Sequence, residues 1–321
     1  MRWALITGGT DGIGHVVAGQ LAAAGNGVLI VGTNNAKGIR AEREIRRDSG
    51  NSQVYFLRAD LMLVSEAHRL ADEVKSRCTA LHYLVHSAGM VRGRRVLTAE
   101  GVESNFAVNY LSRFALTNRL LPLLQAASLP GRSARIVLVG GAVRRGPIHY
   151  HDISLAKRFT TVRAIRQFQH ANNVFTVELA RQLHADEIPV TVTCLQPGMV
   201  ATNIRRKFPR WMRWAVTLAG PLLALPPERI AASIVTLLCD PAFEGLSGAH
   251  FSHIRRFKPA RVPAAHRPEE GARLWALSEH LIARTTAHRA APGRHIPPER
   301  LTQPVDKKRG TPCCNRIRRP R

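Results

Sequence analysis

Residues 7–14 read Thr-Gly-Gly-Thr-Asp-Gly-Ile-Gly. They follow a short apolar run, Trp3-Ala-Leu-Ile-Thr7, and precede a helical pattern from Ile13 to Ala24 that Gly25 stops. A glycine-rich turn between a strand and a helix has three physical uses. It turns tightly, it lets a pyrophosphate approach bare backbone, and it packs the helix closely on the sheet. The N–H groups and dipole of the helix then attract phosphate. A chain that opens this way is constrained to an α/β architecture with a parallel sheet.

The rest of the chain keeps that alternation. Val28–Val31, Val54–Leu57, Leu81–Val85, Ile136–Val139, Val190–Cys194 and a run near Ala249-His250-Phe251 are predicted strands. With the first strand they make a doubly wound parallel sheet of about seven strands in one domain. A charged helix over Ala36–Arg47 and long helices over Val102–Leu124 and Thr161–Leu183 are predicted between them. No internal repeat is visible. From Arg284 onward periodicity disappears into Pro, Arg, Gly and Thr. The expectation is therefore a domain over residues 1–283 and a disordered basic tail over 284–321.

Composition narrows the function classes. The net charge is +25, of which the tail from Arg284 carries +9 and the remainder +16. The basic residues are mostly arginine and no aromatic-interleaved stripe accompanies them, so nucleic-acid binding is not expected. No apolar run approaches the roughly 20 residues that cross a bilayer, and the first strand begins at Trp3, which leaves no room for a leader before it. A cytoplasmic location is the expectation. Cys78, Cys194, Cys239, Cys313 and Cys314 show no metal-ligand spacing. The first three read as buried reduced thiols.

Further motifs follow the glycine-rich turn in order: Asp60-Leu61, His86-Ser87-Ala88-Gly89, Asn109 and Pro197-Gly198-Met199-Val200-Ala201-Thr202. With Thr7, Gly8, Thr10, Asp11, Gly12, Ile13 and Gly14, this series resembles the short-chain dehydrogenase/reductase superfamily over about residues 1–283. Arg273-Leu-Trp-Ala-Leu-Ser-Glu279 is similar to the C-terminal helix of its retinol-dehydrogenase-like branch. The resemblance implies a nicotinamide dinucleotide held by the turn and by Ser87, Ala88 and Gly89. Asp60 and Leu61 would lie by the adenine, and Pro197, Gly198, Val200 and Thr202 would close over the nicotinamide. A carboxylate ending the second strand would pair with the ribose hydroxyls. Here Thr33, Asn34 and Lys37 stand instead, which favours NADP(H) over NAD(H).

Members of this family protonate the substrate oxygen with a tyrosine four residues before a lysine, assisted by a serine. The aligned positions here are Ile165, Gln169 and Gly141, so all three groups are missing and only Asn109 of the family's tetrad is kept. Tyr55, Tyr83, Tyr110 and Tyr150 all lack a lysine four residues on. Tyr150 and His151, in His149-Tyr-His-Asp152, are the candidate replacement donors, and Gln169 can keep hydrogen bonds to the ribose. Residues 203–226 correspond to a substrate lid, where Phe208, Trp211, Met212 and Trp214 suit a flat aromatic or lipid-like molecule. The Arg and Lys beside them also suit peripheral contact with a membrane through 203–225.

The resemblance thus implies reduction of a bulky apolar or aromatic ketone. The Arg/Ala-rich composition and aromatic lid are similar to those of polyketide and anthracycline ketoreductases of bacterial secondary metabolism. A silent NADP(H)-binding sensor or scaffold and a non-redox enzyme on the same fold are the alternatives. The two long helices correspond to the family's dimerisation surface, so a homodimer is expected.

Overall fold

The computed structural model describes residues 1–140, 146–198, 225–253, 257–259 and 267–290, with side chains of the last helix described to Thr285. Eight strands form one sheet in the order β3-β2-β1-β4-β5-β6-β7-β8. They are β1 (Trp3–Thr7), β2 (Gly27–Gly32), β3 (Val54–Arg58), β4 (Tyr83–His86), β5 (Ala134–Val139), β6 (Val190–Gln196), β7 (His250–Ser252) and β8 (Lys258–Pro259). All neighbours pair in parallel except β7 and β8. The sheet is one strand larger than the sequence pattern indicates. Lys-Pro carries no strand signal, and a proline is tolerated there because β8 is an edge.

Alternation along the strands divides the core. Leu5, Leu29 and Leu84 face a layer built from α3 (Val64–Arg77), α5 (Ser112–Ala127) and α6 (Thr161–Ala185). Ala4, Ile6, Ile30 and Val85 face α1 (Gly12–Ala23), α2 (Asn35–Ser49) and α7 (Pro227–Cys239). Because β1 stands between β2 and β4, the strand order reverses beside it. A crevice at such a reversal, outside the carboxyl ends of the strands, is where open α/β sheets bind ligands.

Three expectations are corrected here. The helix read over Val102–Leu124 is not continuous. The Glu103 carboxylate caps a short α4 (Ser104–Phe106) by accepting from the N–H groups of Asn105 and Phe106, both at 3.0 Å. A π-helical turn, Ala107–Leu111, then leads into α5. The final helix, α8 (Pro268–Ala290), continues past Arg284. Leu274, Ser278, Leu281 and Thr285 are its buried stripe at helical spacing, and two threonines and a histidine hid its last turns. Cys239 ends α7 in an exposed position, whereas Cys78 and Cys194 are buried as expected.

Helix α8 also decides what the long helices meet. Trp275 sets its ring edge-on to Phe114 at 4.8 Å, and Tyr110 and Ser278 share a buried hydroxyl–hydroxyl bond of 2.7 Å. Residues His170–Thr176 of α6 are buried on every side. Helix α8 thus packs on part of the two helices expected to receive a second copy, while Arg119, Gln125, Val162 and Arg166 of those helices remain exposed. No helix among the described residues is long and apolar enough to cross a membrane.

Candidate dinucleotide and active site

The loop between β1 and α1 is seated against the end of β4. The Thr7 hydroxyl donates to the Val85 carbonyl at 3.4 Å and accepts from the Ala88 N–H at 3.1 Å. Gly8 has φ of +71°, and a Cβ there would lie 2.9 Å from the Ala88 backbone. A Cβ on Gly14 would lie 2.5 Å from the Gly8 carbonyl oxygen. Both positions require glycine, one for conformation and contact together and one for contact alone. Asp11 caps α1 by accepting from the Gly12 N–H at 2.8 Å, and Ile13 anchors the first turn in the core.

The second strand ends at Gly32, and Thr33 and Asn34 are exposed. Asn34 caps α2 through the Lys37 N–H, 2.9 Å away. The Lys37 ammonium is not free for a phosphate, because it lies 2.5 Å from Asp11 Oδ2. Sequence reading placed both residues at the site without pairing them. They are 26 positions apart, and only the adjacency of β1 and β2 brings α1 and α2 together. Asp60 accepts from the Met62 N–H at 3.1 Å, and Leu61 is buried beside it.

At the catalytic positions, Asn109 sits in the π turn. Its amide donates to the carbonyls of Met90 and Asn105 at 2.7 and 2.8 Å, and its Oδ1 accepts from the Met90 N–H at 3.2 Å. Gly89 packs so tightly on that amide that a Cβ would come within 2.9 Å. The Asn109 carbonyl is also occupied, by the Asn172 amide at 2.9 Å. Ile165 is half-buried against the core of α6. One turn on, Gln169 Oε1 is buried with no donor among the described residues. Gly140 has φ of +114°. Gly141 lies outside the described residues, as do Val200, Thr202, Phe208, Trp211, Met212 and Trp214. Pro197 and Gly198 are half-buried after β6, and Ser87 and Ala88 after β4.

One residue of this region escaped the sequence reading. Arg113 on α5 is 4% exposed and donates to the carbonyls of Val139 at 2.9 Å and Ala88 at 2.8 Å, and to Asn172 Oδ1 at 3.3 Å. Burial lowers its pKa to about 10. The available signal was a single arginine inside the apolar run Tyr110-Leu-Ser-Arg-Phe-Ala-Leu116.

The short chain dehydrogenase family profile matches residues 2–149. Human polyprenol dehydrogenase is 31% identical over 278 residues, covering 86% of this chain and 84% of that one. Mouse retinol dehydrogenase 11 is 33% identical over 249 residues, covering 78% and 77%. The chain belongs to the short-chain dehydrogenase family. Among solved structures, an uncharacterised protein from Mycobacterium paratuberculosis superposes with a TM-score of 0.65 at 28% identity, covering 88% of this chain and 94% of that one. The Pseudomonas aeruginosa RhlG/NADP complex shares the fold, with a TM-score of 0.62 at 24% identity over 78% and 94%.

The residues present can be set against the nicotinamide dinucleotide that this family binds. The backbone cradle at Gly8 and Gly14 fits a pyrophosphate. The buried, donor-less Gln169 Oε1 fits a ribose hydroxyl, a group able to donate to it. The candidate replacement donors are placed elsewhere by their bonds. Tyr150 donates to the Glu270 carbonyl at the start of α8 at 3.4 Å, and the Arg273 guanidinium lies 4.0 Å over its ring. Burial, followed by the Glu270 charge, pushes its pKa up, against the opposing Arg273. His151 is exposed, its Nε2 3.5 Å from the Arg273 guanidinium. Among the described residues, no hydrogen bond joins either side chain to Asn109 or Gln169.

Proposed function

We propose that the protein is an NAD(P)-dependent oxidoreductase that interconverts a bulky apolar alcohol and its carbonyl compound. The observation that carries this reading is the glycine-built cradle from Thr7 to Gly14, together with a buried acceptor without a donor at the position aligned with the family's lysine. The substrate class draws support from the relatives, whose names specify a polyprenol and a retinol, and from the aromatic and apolar residues of 203–226. Reduction of an aromatic ketone in bacterial secondary metabolism is a narrower version of the same reading, resting on composition and on the aromatic residues of 203–226. We place the activity in the cytoplasm, with 203–225 as the contact to a membrane that holds the substrate.

The bound dinucleotide would supply hydride chemistry; the chain's task is to hold and orient. The Gly8–Gly14 backbone binds pyrophosphate, Gln169 accepts from a ribose hydroxyl, and Asn109 fixes the floor through the Met90 backbone. A positioned acid contributes roughly 10²–10⁴-fold, and Ile165 forgoes it. The proton then exchanges with water, or with a group such as Tyr150 once it gives up its bond to the Glu270 carbonyl. Thr33 and Lys37 favour NADP(H), but a 2′-phosphate has to displace Asp11 from Lys37.

The vacancies at Ile165 and Gln169 favour a second reading, a catalytically silent dinucleotide binder. Fluorescence titration with NADPH and with NADH, followed by turnover of a polyprenol, retinol and an aromatic ketone, separates the two. Binding with turnover supports the oxidoreductase, and binding without turnover supports the silent protein. Absence of binding would refute both.

A further inference from the structure

Two arginines among the described residues are almost completely buried, and they are balanced differently. Arg135, 5% exposed, meets the Glu244 carboxylate at 2.6 Å. Arg113, 4% exposed, has no carboxylate partner among the described residues, and its Nε–H is buried without an acceptor. Among the described residues its bonds go to two carbonyls and an amide oxygen. The titratable groups facing it are the Cys194 thiol and His86. Burial, and then the Arg113 charge, hold His86 neutral. A buried cation with no counter-charge among the described residues carries a large desolvation cost, so its placement asks for a use.

Its surroundings indicate one. Ala88 touches the Gly8 turn, Val139 and Gly140 lead into the serine position, and Asn172 lies three residues beyond Gln169 while donating to the Asn109 carbonyl. The guanidinium therefore meets the end of β5, the loop after β4 and α6, the last of which carries the positions Ile165 and Gln169. Gln169, the residue at the lysine position, is neutral. We propose that Arg113 supplies, from beneath the strand ends, the fixed positive charge of the site, and that it biases the site toward the reduced over the oxidised nicotinamide. This rests on the dinucleotide-binding reading. Arg113 acts as a positioning residue through the field it sets.

The two redox forms of the dinucleotide share their phosphates and riboses and differ by one positive charge on the ring. Attraction to the phosphates affects both forms equally, so the ratio of their dissociation constants isolates the field at the ring. The test measures that ratio for NAD⁺ and NADH, and for NADP⁺ and NADPH, by calorimetry on the full chain. The proteins are the wild type, Arg113→Met, Arg113→Gln and Arg113→Lys. Loss of the charge is expected to narrow the preference for the reduced form by about tenfold, the effect of a unit charge acting across on the order of 10 Å of protein. Lysine is expected to keep it within about twofold.

If both affinities fall together and the ratio stays put, Arg113 is a structural clamp and the inference is overturned. Should the methionine variant fail to melt cooperatively, the glutamine variant, which keeps donors for Val139 and Ala88, carries the comparison. If the wild type binds neither form, the dinucleotide reading itself falls and takes this inference with it. A ratio unmoved in a protein that binds both forms removes the inference alone.

Discussion

Replacing Asp11 with asparagine tests how this site treats a 2′-phosphate. Asparagine keeps a side-chain oxygen for the Gly12 N–H, and Asn and Asp are about equally good caps, so α1 is preserved. What changes is charge. Asp11 and Lys37 are 40% and 41% exposed at 2.5 Å, so water screens the pair and its own stability contribution is within about 0–1 kcal/mol. The larger effect falls on the ligand. A carboxylate about 6 Å from a phosphate in near-aqueous dielectric opposes it by about 1 kcal/mol, and the variant also frees Lys37. NADPH is then expected to bind roughly fivefold more tightly to Asp11→Asn, since 1.4 kcal/mol is a factor of ten. NADH, which lacks the phosphate, should stay within about twofold. Fluorescence titration of both cofactors, at low and high salt, reads the result. The salt dependence of the gain should be steep, because the charges are exposed. Equal gains for NADH and NADPH, or none for NADPH, would show that the 2′-position lies away from this pair.

Four other outcomes are expected. Gln169→Ala removes the unsatisfied acceptor and should weaken binding of the preferred cofactor by about tenfold, a loss of about 1–1.5 kcal/mol for one hydrogen bond; unchanged affinity would place the ribose elsewhere. Leu274→Ala on α8, at 1% exposure, should cost about 2–5 kcal/mol in urea unfolding, and a cost below about 1 kcal/mol would mean that α8 is not part of the cooperative core. With α8 over part of α5 and α6, light scattering should give the mass of one chain, and a stable dimer would require the part left exposed or a different surface. His86 is buried with its pKa lowered well below 6.5, by burial first and Arg113 second. The unfolded state therefore binds more protons as pH falls below that value, and stability must drop toward acid. His86→Asn should reduce the stability difference between pH 7.5 and 5.5, by at most about 1.4 kcal/mol per pH unit; an identical difference in both proteins would show that other histidines carry the acid response.

What could be read from the chain and what could not have separate physical causes. The strand, turn and helix from Trp3 to Ala24 were legible because the turn glycines are forced by contacts that any pyrophosphate cradle needs. Strand positions were legible because both faces are covered, which leaves continuous apolar runs. Helix α8 was cut short because Thr285 is buried as a polar residue, satisfied by its own bond to the Ile282 carbonyl at 2.7 Å. The π turn at Asn109 left no trace, since one extra residue in a helical turn does not disturb an apolar run this dense. The Asp11–Lys37 pair and the isolation of Arg113 are tertiary facts. Periodicity locates an arginine on a helix but does not say whether an acid will meet it.

Gln169 and Arg113 bear on each other. The family's lysine both grips the ribose and places a charge near the ring, and here the two tasks are divided. On the proposed reading Gln169 takes the grip, since its amide can accept and donate without carrying charge. Arg113 keeps a charge, deeper and permanently protonated at physiological pH. The division has a chemical consequence for the vacancy at Ile165. A lysine lowers the pKa of a neighbouring tyrosine only if a tyrosine is present, so with Ile165 in place a lysine at 169 would be an unpaired cation. A buried arginine bonded to strand-end carbonyls serves the field without that partner. Restoring tyrosine alone, by Ile165→Tyr, should therefore yield a phenol with no adjacent lysine and little acceleration. Ile165→Tyr with Gln169→Lys should accelerate more than the two changes taken singly. Turnover of the same alcohol by all three variants measures this coupling. Additive effects would mean that the two positions no longer face each other, and that the site has been rebuilt around a different proton path.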